Sequence, residues 1–311
     1  MDRSVLRKDH SVALKLGLLC ACLIFTFAVF RSVFAGAALL FDYATLKQNG
    51  FYFWAVLALC ILWTYIKRAD IVEASRGGTD AKWLIFGVLL AGVSIVLLFY
   101  ISAFSASLPL ILFAIGFVIV AQFSLFFGQA SKIPLLLLGL FGVAVGFPAL
   151  LENTTLFWFP RVTAVLCVST LQSLGLPVTL NGVTVTLTSL LGYDIVTKVD
   201  PRCAGSDSLA IFLAIFGLMI IDRKPQNKLL IGLLIFGVIG TYLQNFVRLL
   251  LLFAAGYYYG ADALWTVHDY ASYVLFPVWF LGFSVIYLRY ARKPGNSAIE
   301  RKTSAKSTSK L

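Results

Sequence analysis

The chain has 311 residues, 60% of them hydrophobic and only 13% charged, with a mean hydropathy of +0.92. So apolar a composition excludes an ordinary soluble domain, and several stretches approach the roughly 20 apolar residues that span a bilayer. The formal charge of +11 does not indicate a nucleic-acid partner, because Lys and Arg gather in short loops and at the termini, as membrane topology requires. The sequence reads as an all-α polytopic membrane protein.

Arg3, Arg7 and Lys8 precede the first apolar run in the manner of a signal peptide. No small-residue cleavage site follows, and more spans do, so the run is expected to be an uncleaved anchor. Apolar runs fill about 12–30, 51–66, 83–101, 108–127 and 133–150, broken by Lys67-Arg68, Arg76-Gly77-Gly78, Pro109 and Lys132-Ile133-Pro134. This first half reads as a helical scaffold or a groove for an apolar ligand. It shows no nucleotide-binding motif and no convincing repeat. Cys20, Cys22, Cys60 and Cys167 lie in apolar segments and read as packing residues. No Cys/His spacing suggests a metal, and no cofactor is expected.

Segment 156–176 is apolar enough to span, yet carries Pro160, Arg161, Thr163, Thr170 and Gln172. Charge counting decides its place. With a cytoplasmic N-terminus and this segment lying in the interface, nineteen of the 25 Lys and Arg are cytoplasmic. If it spans, the split is even and Arg161 is stranded in the bilayer, at a cost of at least about 2.5 kcal/mol. The segment is therefore expected to lie along the outer surface as an amphipathic or re-entrant helix.

Val178 to Leu187 then alternates apolar residues and Thr about Asn181-Gly182, the signature of a β-hairpin. Tyr193 to Val199 alternates more loosely. Open strands cannot face lipid, so this β-element is expected outside the membrane. Spans at about 207–222, 229–252 and 270–290 bring the expected total to eight, with both ends cytoplasmic. Three parts result: a five-span portion (1–150), a core (151–290) and a basic cytoplasmic tail (291–311).

Cys203 differs from the other cysteines. It sits in the polar stretch Asp200-Pro201-Arg202-Cys203-Ala204-Gly205-Ser206-Asp207-Ser208, just ahead of an apolar helix. A helix N-terminus and a nearby cation would lower its pKa and make it nucleophilic. Ser206 or Asp207 would cap that helix, and Gly205 would let another backbone approach. The plainer reading is an incidental Cys at a helix entry.

In the next span, Thr241, Asn245 and Arg248 share one helical face, with Gln244 beside it. Such a stripe must face protein or water. At 1.5 Å per residue, Arg248 lies about 30 Å from the cytoplasmic start, near the outer interface. A snorkelling Arg is the alternative. His268 falls in a short loop, Trp265-Thr266-Val267-His268-Asp269-Tyr270, before the last span; a solvated interfacial His is its alternative. Topology puts Cys203, Arg248 and His268 at one membrane face. A Cys–His pair with an Arg nearby suits acyl transfer, and Asp269 adjoins the His to orient it.

These residues resemble the exosortase/archaeosortase family of polytopic membrane transpeptidases. The likeness rests on Cys203-Ala204-Gly205 opening a helix, Asn245-Phe246-Val247-Arg248 late in the next, and His268 before the last. It covers roughly residues 150–290. It implies Cys203 as nucleophile, His268 as acid/base and Arg248 as electrostatic partner. It also implies substrates: secreted proteins with a C-terminal sorting signal of short motif, apolar span and basic tail. These would be cleaved at the outer face through a thioester and passed to a lipid or surface-glycan acceptor. One rival is a lipid- or glycan-processing enzyme in which Arg248 and His268 bind phosphate or sugar. Another is a transporter or platform subunit, with the polar stripe as a solute or contact site.

Overall fold

The computed structural model describes residues 3–38, 52–75, 80–104, 108–155 and 158–291. The Arg76-Gly77-Gly78 break and nearly all of the expected basic tail lie outside the described residues. The chain divides into two compact units, Met1–Ala149 and Leu150–Leu311.

The first unit runs α1 (Arg3–Val29), α2 (Arg31–Ala38), α3 (Tyr52–Ile66), α4 (Arg68–Ser75), α5 (Ala81–Ala103), α6 (Leu108–Phe127), a 3-10 turn (Gly128–Ser131) and α7 (Lys132–Thr155), whose end belongs to the second unit. Gly128, at φ +54, permits the turn between α6 and α7. Leu98, Ile101, Ile111, Ala114 and Val118 of α5 and α6 form a core with Phe30 and Val33. A polar tie joins α6 to α1: Gln122 Nε2 donates to Thr26 Oγ1 at 2.8 Å.

The second unit contains α8 (Trp158–Ser173), β1 (Val178–Asn181), β2 (Thr184–Thr188), β3 (Asp194–Lys198), α9 (Ser206–Asp222), α10 (Asn227–Tyr259) and α11 (Ala261–Tyr290). The expected hairpin is there, turning at Gly182 with φ +67, but β3 adds to it. The result is an antiparallel three-stranded sheet in the order β1-β2-β3. Alternate residues Val185, Leu187 and Ile195 are buried, which follows from the two-residue period of a strand. They pack with Ala164, Cys167 and Leu171 of α8 and with Leu249, Leu252 and Phe253 of α10. A second core of Phe212, Phe216, Phe283 and Tyr287 joins α9, α10 and α11.

α10 is the axis of this unit. Gly237 leaves room for the ring of Phe212 on α9, and Gly240 for Trp279 on α11. The face carrying Ile231, Ile235, Ile239, Leu243, Val247 and Leu251 stays exposed. That stripe is wrong for water and right for lipid.

Among the described residues, five helical stretches are long and apolar enough to cross a membrane: Val12–Val29, Ala81–Ala103, Leu110–Pro148, Asn227–Tyr259 and Ala261–Tyr290. The third, 39 residues long, takes in both α6 and α7. This is an all-α polytopic membrane protein with one small sheet. α3 and α9, expected to span at about 51–66 and 207–222, keep close to those bounds but are helices of only 15 and 17 residues. α8, with 16 residues, is no longer. It buries Pro160, Thr163, Ala164, Cys167, Val168 and Leu171 on one face and leaves Arg161 exposed on the other.

Candidate active site

The Asp200–Gly205 stretch folds as a tight turn, as Asp-Pro at its head favours. Ala204 N–H reaches Asp200 C=O at 2.9 Å, Gly205 N–H reaches Arg202 C=O at 3.1 Å, and Ser206 N–H reaches Pro201 C=O at 3.1 Å. The Asp200 carboxylate turns back to accept the Cys203 N–H at 2.7 Å. Helix α9 begins at Ser206 with Gly205 as N-cap, at φ +111, and no side chain caps it. The expected cap at Ser206 or Asp207 is therefore corrected: both lie within the first turn. Gly205 does permit a close approach, by a side chain rather than a backbone. A Cβ there would sit 3.0 Å from the Asn245 Cγ and Nδ2 atoms.

That side chain joins two parts of the site. Asn245 Nδ2 donates to the Cys203 carbonyl at 2.9 Å, and its Oδ1 accepts from Arg248 Nη1 at 3.2 Å. Asn245 is fully buried and Arg248 only 7% exposed, so Arg248 does not snorkel. It also lies deeper in its helix than expected, since α10 continues to Tyr259 rather than ending near residue 252. The Nε of Arg248, and both amide atoms of Gln244 one turn earlier, are buried without a protein hydrogen-bond partner. Thr241 belongs to the same stripe but not to the site. Its hydroxyl donates to Gly237 C=O at 2.8 Å and accepts from Trp279 Nε1 at 3.1 Å.

His268 comes from the third element. The loop expected around it is helical, because α11 starts at Ala261, directly after Gly260 at φ +88. His268 thus sits two turns into a helix and is held at a fixed height. Its Nε2 lies 3.5 Å from Cys203 Sγ, and its Nδ1 lies 3.4 Å from Asp269 Oδ1. The Trp265 ring meets the imidazole edge-on, at 5.4 Å between centroids. Cys203, Asn245, Arg248 and His268 are brought together, with Arg248 linked to Cys203 through Asn245.

The electrostatics differ from expectation. The Cys203 thiol is pushed up to about 12, first by burial and next by the negative charge of Asp200; Arg248 pulls the other way and is outweighed. A helix terminus contributes at most a kcal/mol or two, less than the desolvation of a thiolate in such a setting. The resting sulfur is therefore a thiol. With Nε2 unprotonated, His268 can take the thiol proton as the sulfur attacks, which suits general-base activation rather than a standing thiolate.

Asp200 had no role in the sequence reading, although Asp before Pro at a turn start is the legible sign of a carboxylate folding back. Trp265 had none either.

A family model described as transmembrane exosortase (Exosortase_EpsH) matches residues 44–285. The matched segment includes Cys203, Asn245, Arg248 and His268, and it begins well before residue 150. No curated protein and no solved structure gives a match.

Proposed function

We propose that this chain, which belongs to the transmembrane exosortase family, is a membrane cysteine transpeptidase acting through Cys203 and His268. The observation that carries the reading is the 3.5 Å approach of Cys203 Sγ to His268 Nε2 across 65 residues of sequence. Cys203 comes from the turn ahead of α9 and His268 from the second turn of α11, so it is the tertiary fold that brings them face to face.

His268 Nε2 accepts the thiol proton while the sulfur bonds to the scissile carbonyl carbon. Arg248, with an unspent Nε–H donor, stabilises the oxyanion. As the tetrahedral intermediate collapses, the C–N bond breaks and the imidazolium protonates the departing amine, leaving a thioester on Cys203. A hydroxyl or amine of a lipid or surface-glycan acceptor then attacks the thioester and restores the thiol. The substrates are secreted proteins whose C-terminal sorting signal joins a short motif, an apolar span and a basic tail. Both termini are cytoplasmic and the site faces outward, as the distribution of Lys and Arg supports.

The test compares cells carrying wild-type protein with cells carrying Cys203→Ala or His268→Ala. The expected outcome is accumulation of membrane proteins that keep an intact motif, span and basic tail, read as intact mass. Normal processing by Cys203→Ala would sink the proposal and favour the lipid- or glycan-processing alternative.

A further inference from the structure

Each edge of the small sheet keeps an open backbone position, Leu180 on β1 and Val196 on β3, and what distinguishes β3 is that its chain runs on into the turn that carries Cys203. On β1, the edge residue Val178 has both backbone groups engaged: its C=O accepts Gln172 Nε2 of α8 at 2.9 Å, and its N–H reaches Leu176 C=O at 3.0 Å. β3 forms the other edge. Val199 N–H bonds to Val183 C=O at 2.9 Å, and Ser189 N–H to Tyr193 C=O at 3.0 Å. In an antiparallel ladder these two bonds fix the parity. Ile195 and Thr197 point their backbone groups at Leu187 and Val185, while Asp194, Val196 and Lys198 point theirs outward. Among the described residues no hydrogen bond reaches the backbone of Val196, whose side chain is 62% exposed. Proteins usually cover or shorten such an edge, because it accepts any extended chain.

This edge leads to the thiol. Cys203 follows Lys198 by five positions, about 17 Å even if fully extended, and the turn from Pro201 to Gly205 shortens that. The sheet and the site also share one core: Ile195 and Val199 pack in the cluster that holds Ala204 and Leu249, against which Cys203 and Val267 rest. We infer that the polypeptide substrate binds as a fourth strand on β3, its main chain paired with Val196, which delivers the scissile bond to Cys203. The inference rests on the transpeptidase reading and adds to it how the peptide is held: by main-chain bonds that tolerate varied side chains.

The test uses the full-length protein in detergent and measures alkylation of Cys203 by two reagents. One is iodoacetamide; the other is an acetylated Val-Thr-Val-Thr-Val chloromethyl ketone. Each forms a thioether with loss of halide. Rates are normalised to those with a free thiol, and their ratio is the readout. The peptide reagent is expected to be favoured by about tenfold, the worth of one or two net hydrogen bonds. Val196→Pro removes the outward N–H without touching a ladder bond, and is expected to bring the ratio to one. Leu180→Pro, the equivalent change on the β1 edge, is expected to keep it. Should Val196→Pro fail to fold, N-methylation of successive peptide residues tests the same point on wild-type protein. Loss at alternate positions only is the expected pattern. A ratio of one in wild type, survival of the advantage in Val196→Pro, or equal loss at every N-methyl position would overturn the fourth strand. Failure of both reagents to alkylate Cys203 would instead remove the thiol site, and the strand proposal with it.

Discussion

The state of the Cys203 sulfur follows from two neighbours and its burial. Burial and Asp200 both disfavour the anion, and the thiol is raised to about 12. A raised acid holds its proton longer, so less thiolate is present at any pH below that value. Alkylation in the absence of substrate should therefore keep climbing from pH 7 through pH 10, with no plateau near the ordinary value of about 8.5. Asp200→Asn keeps an oxygen for the Cys203 N–H and removes the charge, so the profile should move to lower pH. Arg248→Ala should move it to higher pH. A profile unchanged by either would contradict the assigned causes.

Asn245 is the other residue on which the site depends. Its amide satisfies the Cys203 carbonyl and an Arg248 donor at once, and it occupies the space that a side chain at position 205 would need. Asn245→Leu leaves both groups buried and unpaired, at about 1–3 kcal/mol for each. Gly205→Ala forces a left-handed backbone and a contact near 3.0 Å, costing about 1–3 kcal/mol. Thermal unfolding in detergent should show both losses. Processing activity should fall further in Asn245→Leu, because Arg248 then loses its anchor.

Among the elements, α10 decides whether α9 and α11 can present Cys203 and His268 to each other. Gly237 sits where any side chain would run into Phe212, which is fully buried. Gly237→Leu should cost 1–3 kcal/mol or more through overpacking. It should also slow the reaction with a peptide reagent by displacing α9 and the turn it begins. Glycine at Gly232, where nothing lies within 4 Å, is the control: Gly232→Ala should be neutral or slightly stabilising.

The helices were legible as apolar runs, and so was the hairpin, through Thr alternation about Asn181-Gly182. Their ends were not. The stretch Trp265–Tyr270 carries Thr266, His268 and Asp269 and reads as a loop. It is helical because Ala261, Leu264 and Val267, three apart, pack on the core that includes the sheet. A three-residue stripe means little until something exists to bury it. The thiol was misread for a similar reason: sequence shows a helix start beside an Arg, but not how much protein closes over the sulfur. The pairing of Cys203 with His268 was legible only as two residues at one membrane face.

At the scale of the whole molecule, orientation is the property on which the proposed chemistry turns. The 33 residues of α10 extend about 50 Å at 1.5 Å each, well beyond a hydrocarbon core of about 30 Å. One end carries Lys228 and meets the connection holding Arg223 and Lys224; the other packs by Gly256 against Leu187 of the sheet. Positive loops stay in the cytoplasm, so the sheet and Cys203 should lie outside. Single reporters in a background lacking the five native cysteines test this within one unit of the protein. Thr188→Cys, exposed on β2, should react with a membrane-impermeant maleimide in intact cells. Lys224→Cys, exposed between α9 and α10, should react only after permeabilisation. The opposite pattern would put the thiol and the open β3 edge in the cytoplasm, where a secreted substrate could meet them only before export. Thr188 and Lys224 are both exposed to solvent, so a silent reporter reports side and not burial.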